Sequence, residues 1–187
     1  LVNIIDDILE ISKIETSQIK IHPTHFNIND LLLFVCENFA LMIRDEKKNI
    51  EFRCNLPEDK ANPGLFLDQL KLSQILSNLL RNAIQHTDKG SIEIGYKIKE
   101  HNKDRIQFYV KDSGKGIPKQ AQEQIFDRFH QYYDDDSSCV KGAGLGLSIA
   151  KGFTKSMGGK ISVDSEPGKG STFTVDLPVQ YKESNIV

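Results

Sequence analysis

The sequence predicts an α+β fold in which helices cover one face of a mixed or antiparallel sheet. Helical and strand-like patterns alternate along the chain, but the two clearest strands, residues 91–99 and 105–111, are separated only by a short polar turn. Strands joined by short turns pair antiparallel, whereas a doubly wound parallel sheet needs a long crossover between neighbouring strands. With 187 residues, the chain is long enough for one domain that buries a core without metal or disulfide support.

The first segment has the spacing of an amphipathic helix. Acidic residues separate its apolar positions, which are Leu1, Ile4, Ile5, Ile8, Leu9, Ile11 and Ile14. One helix cannot bury such a stripe alone, so two interpretations stay open: the helix packs on its own domain, or it is half of an interrupted helix bundle. Pro23 ends the segment, because the residue before a proline avoids the helical region. Since Leu1 already belongs to the helical pattern, we expect the chain to be a piece of a longer protein.

The next two elements are a helix and a strand. Asn27 or Asn29 caps the second helix, whose apolar side comprises Leu31, Leu32, Phe34, Val35, Phe39 and Met42. Alternation over residues 50–54 predicts a strand, and a turn region follows at 57–63.

The rest of the chain adds two more helices and, besides the paired strands, two further strands. A third helix spans 68–86, and its apolar side comprises Leu72, Ile75, Leu76, Leu79, Leu80 and Ala83. After the paired strands and a glycine-rich stretch, a fourth helix over about 145–157 precedes strands near 160–164 and 172–177.

Composition excludes several classes of function. The net charge is −2, from 24 basic and 26 acidic side chains, so the chain has no basic field for nucleic acid or an anionic membrane. No apolar run approaches the ~20 residues of a membrane span. The three cysteines, Cys36, Cys54 and Cys139, are far apart and form no CxxC pair. That spacing argues against a disulfide framework or a zinc site and favours a reducing compartment.

The distribution of glycine points to a ligand-binding region in the second half of the chain. Ten of the 13 glycines lie between Gly114 and Gly170. Ordinary turns explain most of them, but not the run over 141–147, Lys-Gly-Ala-Gly-Leu-Gly-Leu, which leads directly into the fourth helix. Exposed N–H groups at such a helix start suit an anionic ligand. The run fits neither the Walker loop nor the Rossmann fingerprint, because it lacks the GK-Ser/Thr ending of the first and the spacing of the second.

Two further patterns place polar side chains where they could bind a ligand: at the end of a strand and on one face of the third helix. Asp112 ends a strand and is followed by Gly114 and Gly116, so its carboxylate lies beside a tight bend and could accept a hydrogen bond from an exocyclic amine. The alternative is a capping Asp in a simple turn. Asn78 and Asn82 project from one face of the third helix, where asparagine is unfavourable unless it is used. Their amide oxygens suit Mg²⁺, and the alternative is ordinary exposed polarity.

Taken together and in order, these motifs resemble those of sensor histidine kinases. The Asn-bearing helix, Asp-x-Gly-x-Gly at 112–116, Phe126-Asp127-Arg128-Phe129 and the Gly-x-Gly-x-Gly run resemble the N, G1, F and G2 boxes of that family, and residues 168–173 resemble its last glycine box. The resemblance covers about residues 23–178 and identifies the catalytic ATP-binding domain of the wider GHKL class. It implies a two-layer α/β sandwich, the Bergerat fold, preceded by an N-terminal helix.

The resemblance also implies roles for residues on the base side of a nucleotide site. Asp112 would bind the adenine amino group of ATP, Gly114 and Gly116 would shape the base pocket, and Thr172 would lie close to the adenine side.

On the phosphate side, the resemblance makes Asn82 the main Mg²⁺ ligand, with Asn78 beside it as the second catalytic asparagine. Residues 129–141 would form a lid, from which Phe129 and Lys141 contact the nucleotide, and Arg128 is a further candidate for a phosphate contact. The phosphates would lie against Gly142, Gly144, Leu145 and Gly146.

The chain departs from the family pattern at two places. The family usually has Lys three residues after the second asparagine, followed by an aromatic residue, but Gln85 and His86 stand there. The phosphoacceptor motif, a helical His beside an acidic residue, is absent from the sequence. Residues 1–21 resemble the end of the second helix of the dimerisation hairpin, and 22–187 resemble the ATP-binding domain. We therefore expect the acceptor histidine to precede Leu1.

The resemblance implies partners and leaves alternatives. The expected partners are ATP, the histidine-bearing hairpin, a response regulator receiver domain and, in the full protein, a second copy of the chain. Nucleic acid is not expected. We expect this portion to be cytoplasmic and the full protein to be membrane-anchored. The alternatives are a GHKL machine that hydrolyses ATP, a serine kinase of the anti-sigma-factor type, and a degenerate kinase that binds nucleotide or docks without transferring phosphate. A hydrolytic GHKL machine would need Glu where Asn78 stands, because an amide cannot act as a general base.

Overall fold

The α+β prediction is confirmed by a computed structural model, which describes residues 2–57, 64–99, 102–129 and 144–181. Three of its four helices pack on one face of a five-stranded mixed sheet, and a three-stranded sheet lies beside it. Two short 3-10 turns, Lys119–Ala121 and Gln124–Phe126, follow β5. The helices and strands in chain order are α1 (Val2–Glu15), β1 (Thr24–Asn27), α2 (Ile28–Asp45), β2 (Asn49–Asn55), β3 (Gly64–Leu67), α3 (Gln69–His86), β4 (Lys89–Lys99), β5 (Asn102–Asp112), α4 (Gly146–Ser156), β6 (Lys160–Glu166), β7 (Gly170–Pro178) and β8 (Gln180–Tyr181).

The main sheet has the strand order β2-β4-β5-β7-β6, in which only the β2–β4 pair is parallel. Its strands alternate between buried and more exposed residues, as expected when only one face is covered. The covered face packs against α2, α3 and α4, and its largest fully buried side chains include Phe108 and Phe173. The register of β5 against β7 places Asp112 opposite Ser171, which decides the geometry of the site.

The smaller sheet was not predicted from the sequence. Its strand order is β1-β3-β8, with antiparallel pairing throughout. Strands of four residues or fewer are too short to show a reliable alternation, and each depends on partners distant in the chain. The predicted turn at 57–63 falls largely on residues 58–63, which lie outside the described ranges.

Side-chain caps define the starts of α2 and α3. Of the two candidate caps of α2, Asn27 is the one used: its Oδ1 accepts hydrogen bonds from the N–H groups of Asn29 at 2.9 Å and Asp30 at 3.2 Å. Asp68 caps α3 by accepting from the Lys71 N–H at 2.9 Å. Its other oxygen accepts from the His22 N–H at 2.8 Å, so one buried carboxylate joins α3 to the segment that leaves α1.

Helix α1 uses only part of its apolar stripe. Ile11 is buried, and the Ile14 side chain fills the space above Gly152 of α4, where an added Cβ would lie 2.6 Å from it. Glu10 forms an ion pair with Lys71 of α3 at 3.3 Å. The remaining apolar side chains stay 45–55% exposed; they are Ile4, Ile5, Ile8 and Leu9. The end of the helix therefore packs on its own domain, while its beginning presents an unpartnered apolar face within the described part of the chain.

We expect Gly152→Leu to release α1 from the domain, because the new side chain occupies the space that Ile14 fills. A helix of 14 residues is marginal in water without packing. Amide hydrogen exchange in α1 should therefore accelerate by about tenfold or more, with the sheet unaffected. Ser156→Leu, an exposed substitution on the same helix, is the matched control. Unchanged protection of α1 in Gly152→Leu would show that this contact does not hold the helix.

Among the described residues, no helix is both long enough and apolar enough to cross a membrane.

Candidate functional site

Asp112 at the end of β5 is the most constrained acidic residue of the site. It is only 4% exposed, and its Oδ1 accepts hydrogen bonds from the N–H groups of Gly114 at 2.9 Å and Ser171 at 3.3 Å. Burial raises the pKa of Asp112, and these two hydrogen bonds oppose that rise. Within the described ranges, no hydrogen bond uses its second oxygen. Capping of the turn thus accounts for Oδ1 and leaves Oδ2 as an acceptor.

The glycines after Asp112 allow three segments to meet. A Cβ on Gly114 would lie 2.3 Å from the His86 carbonyl oxygen, at the end of α3. Gly116 has a φ of +70°, and a Cβ there would lie 2.0 Å from the carbonyl oxygen of Glu166. Side chains at either position would push the loop away from α3 or from the β6–β7 turn. The backbone N–H of Lys115 also donates to the His86 carbonyl at 3.2 Å, so the loop is joined directly to the Asn-bearing helix.

The two asparagines lie half-buried on α3. The Asn78 side chain packs against the first residue of α4, 3.7 Å from the Cβ position of Gly146. Arg81 donates to Asn78 Oδ1 at 3.4 Å. No hydrogen bond in the described part of the chain involves the Asn82 side chain, one turn further along. An amide oxygen that is partly desolvated and unengaged can ligate a hard cation.

The end of α3 carries the two residues that depart from the family pattern. Gln85 is exposed and neutral. Burial lowers the pKa of His86, and the nearby Lys115 and Lys48 lower it further, so its imidazole is neutral at pH 7. Lys48 also donates to the carbonyl oxygens of Ile84 and Thr87, which satisfies backbone acceptors at this helix terminus.

Helix α4 begins with an uncapped N-terminus beside Asn78. Among the residues that the structure describes, no side chain caps it, and its first turn contains no acidic residue. The preceding Gly144 has a φ of +69°, and Leu145 is buried as an anchor. The N–H groups of a helix start, together with the helix dipole, favour negative charge nearby. The predicted contacts Lys141 and Gly142, and lid residues 130–141, lie outside the described residues.

The Phe126–Phe129 motif has one buried and one exposed aromatic residue. Phe126 packs edge-on against Phe173 of the sheet, with ring centroids 6.2 Å apart. Arg128 forms an ion pair with Glu15 at the end of α1. Phe129 is 68% exposed with a φ of +57°. Arg128 thus contacts α1 instead of reaching towards α4, whereas Phe129 is free to contact a ligand.

The residue of the last glycine motif that reaches Asp112 is Ser171, not Thr172. Side chains alternate along β7, so Thr172 points to the face of the sheet opposite Ser171. The place of Thr172 on the adenine side stays a prediction from the family resemblance. The Ser171 Oγ lies 2.9 Å from the Oγ of Ser165, which accepts from the Ile117 N–H at 2.8 Å. Neither serine belongs to the residues predicted from the sequence, although pairing of Asp112 with the start of β7 indicates Ser171.

The cavity and the acidic, histidine or cysteine clusters of the described residues offer no second candidate site. A cavity of about 710 Å³ lies between α1, α2 and the start of α3, and it contains none of the predicted site residues. No cluster of three or more His, Cys, Asp or Glu side chains in the described ranges could hold a metal.

The chain is similar in sequence to proteins of known family. Residues 67–181 match the family described as histidine kinase-, DNA gyrase B-, and HSP90-like ATPase. The chain is 37% identical over 179 residues to the sensor histidine kinase RcsC of Escherichia coli K12, covering 96% of this chain and 18% of that protein. It is 31% identical to the sensor histidine kinase WalK of Bacillus subtilis, covering 98% of this chain and 29% of that protein. The chain thus spans less than a third of the length of these relatives.

Solved structures show the same fold. Full-length ShkA in complex with AMPPNP aligns with a TM-score of 0.81 at 27% identity, over 96% of this chain and 36% of that one. The catalytic domain of the histidine kinase ThkA, in a nucleotide-free form, aligns with a TM-score of 0.66 at 30% identity. That alignment covers 84% of this chain and 97% of the ThkA domain, so the fold described here includes nearly all of an isolated catalytic domain.

Proposed function

Because the chain belongs to the histidine kinase-, DNA gyrase B- and HSP90-like ATPase family, we propose that it is the catalytic domain of a two-component sensor histidine kinase. It binds Mg²⁺-ATP and transfers the γ-phosphoryl group to a histidine on a dimerisation hairpin. Asp112 carries this proposal: a buried carboxylate holds one oxygen in the backbone turn and leaves the other as an acceptor. That acceptor suits the exocyclic amine of adenine.

The phosphates belong at the other end of the site, at the start of α4. Within the described ranges no side chain caps the N–H groups at the start of α4, so these groups and the positive end of the helix dipole can bind negative charge there. Gly146 also lies against Asn78, so the phosphate end and the cation end of the site adjoin. Gly142, Gly144 and Leu145 complete the phosphate loop in this proposal, with Phe129 and Lys141 contributed by the lid.

The donor set on α3 fits Mg²⁺. Asn82 is the principal ligand and Asn78 the second, because both supply amide oxygens from one helix face and Mg²⁺ accepts few protein ligands while keeping water and phosphate oxygens. When bound, the ion neutralises phosphate charge during transfer. Asn82 is free to turn towards the phosphates, whereas Asn78 is oriented by Arg81 and Gly146.

Transfer needs an acceptor from outside the described residues. His86 is neutral but lies at the end of α3, with Gly114 packed on its carbonyl oxygen. His22 and His25 flank Pro23 and lie on no helix. We therefore assign acceptance to a histidine on the dimerisation hairpin, of which residues 1–21 are the last part and 22–187 the attached ATP-binding domain. The exposed Ile4, Ile5, Ile8 and Leu9 support pairing of α1 with further hairpin helices, in a homodimer of a longer protein.

The remaining partners are proposed from the kinase family. A response regulator receiver domain would take the phosphoryl group from the hairpin histidine, and the longer protein would be anchored in a membrane with this portion in the cytoplasm.

The direct test combines binding with transfer. Calorimetric titration with AMPPNP should show binding that strengthens when Mg²⁺ is present, and ADP should bind at the same site. The purified hairpin of a related sensor kinase, mixed with this chain and labelled ATP, should become phosphorylated on histidine. A folded chain that binds no nucleotide would refute the proposal, and nucleotide binding without transfer to any hairpin tested would favour the degenerate binding module.

Replacing Gln85 tests whether the missing positive charge weakens nucleotide binding. Gln85 is exposed where the family usually has Lys, so Gln85→Lys should place a positive charge near the phosphates. We expect the Kd for AMPPNP to fall by about three- to tenfold, which corresponds to the ~1 kcal/mol of an exposed charge contact. The gain should diminish at high salt and should be absent for AMP. Gln18→Lys, at an exposed position after α1, is the matched control. An equal gain for AMP would indicate a general charge effect.

A further inference from the structure

Arg81 is a cation at the place where the two ends of the proposed site adjoin. It lies on α3, directly before Asn82 and about one turn after Asn78. Its Nη1 donates to Asn78 Oδ1 at 3.4 Å, and that same oxygen lies 3.7 Å from the Cβ position of Gly146 at the start of α4. One amide group thus separates the guanidinium from the start of α4. The proposed function gives Arg81 no contact with the nucleotide.

The Asn78 amide is a weak partner for this guanidinium. A distance of 3.4 Å is long for an N–H···O hydrogen bond, and a neutral amide oxygen is a weaker acceptor than a phosphate oxygen. Arg81 is exposed, and within the described ranges it forms no ion pair. Arginine binds phosphate through two parallel charge-assisted hydrogen bonds. Phosphate oxygens at the start of α4 would therefore displace the amide from Arg81.

Helix α1 lies on the other side of Arg81. Glu10 of α1 pairs with Lys71 of α3 at 3.3 Å, so the two helices run beside each other. Asp7 lies about one turn before Glu10; burial raises the pKa of Asp7, and the positive charge of Arg81 opposes that rise. The proposed function makes α1 the end of the dimerisation hairpin. Arg81 then lies between that hairpin and the phosphate end of the site.

We propose that Arg81 turns from Asn78 to the γ-phosphoryl group when ATP binds, and that it is a further catalytic residue of this site. The inference rests on the proposed function and adds a residue to it. During transfer, a neutral imidazole nitrogen of the acceptor attacks the γ-phosphorus and an N–P bond forms. The bond from phosphorus to the β–γ bridging oxygen breaks, ADP leaves with that electron pair, and the acceptor ring releases its remaining N–H proton to solvent. The guanidinium neutralises negative charge on the oxygens of the transferring group.

Nucleotide binding tests the phosphate contact without an acceptor. Arg81→Gln removes the charge and should raise the Kd for AMPPNP by about tenfold, while the Kd for ADP changes by less than about twofold. The same loss should appear when a chelator replaces Mg²⁺, because the contact is made by the side chain itself. Arg53→Gln is the matched control, since Arg53 lies on the uncovered face of the sheet and pairs with the exposed Glu51 at 2.7 Å. It should leave both Kd values unchanged in calorimetric titration.

Transfer to the purified hairpin of a related sensor kinase tests the catalytic role. Arg81→Gln should lower the rate at saturating ATP by about 100-fold, and Arg81→Lys, which keeps the charge without the paired hydrogen bonds, should restore about tenfold of that loss. Both variants should melt within about 2 °C of wild type, because Arg81 is exposed.

The role of Arg81 is overturned if Arg81→Gln weakens ADP and AMPPNP binding equally, or if either its AMPPNP affinity or its transfer rate matches that of Arg53→Gln. Failure of the proposed function is distinguishable from these results, because wild type itself would then bind no AMPPNP or transfer no phosphate.

Discussion

Replacing Asp112 by Asn should weaken the binding of ADP and AMPPNP by about 100-fold while leaving the fold intact. The isosteric amide can keep the hydrogen bonds from Gly114 and Ser171 through its oxygen, but its NH₂ group then faces the adenine amine, donor against donor. Hydrogen bonds to a charged group contribute about 1.5–3 kcal/mol, which sets the size of the loss. Calorimetric titration measures it. Asp164→Asn, at an exposed position on β6, is the matched control and should bind as wild type does.

The same substitution should not destabilise the protein at neutral pH. Burial raises the folded-state pKa of Asp112, so folding favours its protonated form. The stabilising contribution of this group is therefore complete below its unfolded pKa of about 3.9 and is lost as pH rises through the folded pKa. The ionised form of Asp112 is a buried charge that folding disfavours, so Asp112→Asn should melt at the same or a higher temperature than wild type at pH 7. Calorimetric melting between pH 3.5 and 7.5 should show the difference shrinking as pH falls. A lower Tm at pH 7 would mean that the carboxylate contributes more to the turn than its amide isostere does.

Asn82→Ala should reduce phosphoryl transfer to an acceptor hairpin by about 100-fold, with a much smaller effect on Mg²⁺-free binding of ADP. Asn82 is half-buried on α3, and within the described residues its amide makes no hydrogen bond. The substitution should therefore remove a cation ligand without lowering the stability of the helix. Transfer depends on charge neutralisation at the phosphates, and base binding does not. The measurement is transfer rate against Mg²⁺ concentration, beside ADP titration in the presence of a chelator.

Asn38→Ala is the matched control for Asn82→Ala. Asn38 is an exposed asparagine on α2 whose amide donates to the carbonyl oxygen of Phe34 at 2.8 Å, away from the proposed site. It should leave transfer and its Mg²⁺ dependence unchanged. If Asn82→Ala behaved like Asn38→Ala, the assignment of Asn82 as the principal Mg²⁺ ligand would be wrong.

Local signals in the sequence were sufficient for most of the elements. Helical periodicity and a capping asparagine predicted α2, and the third helix was predicted over 68–86 against an observed Gln69–His86. Alternation and a short turn predicted the antiparallel β4–β5 pair. The parallel β2–β4 pair and the β1-β3-β8 sheet were not predicted, because their partners are far apart in the chain and short strands carry little pattern of their own.

The site shows the same division between local and long-range information. The sequence by itself determined the kind of residues present: glycines for tight bends, a strand-ending Asp112, two asparagines one helical turn apart, and through them the family. Only the tertiary structure decided which residues touch. The β5–β7 register placed Ser171 opposite Asp112 and Thr172 on the other face of the sheet, and the packing of α1 directed Arg128 to Glu15. Periodicity reports which face of an element is buried, whereas the identity of the neighbour depends on strand register and helix packing between segments that are distant in the chain.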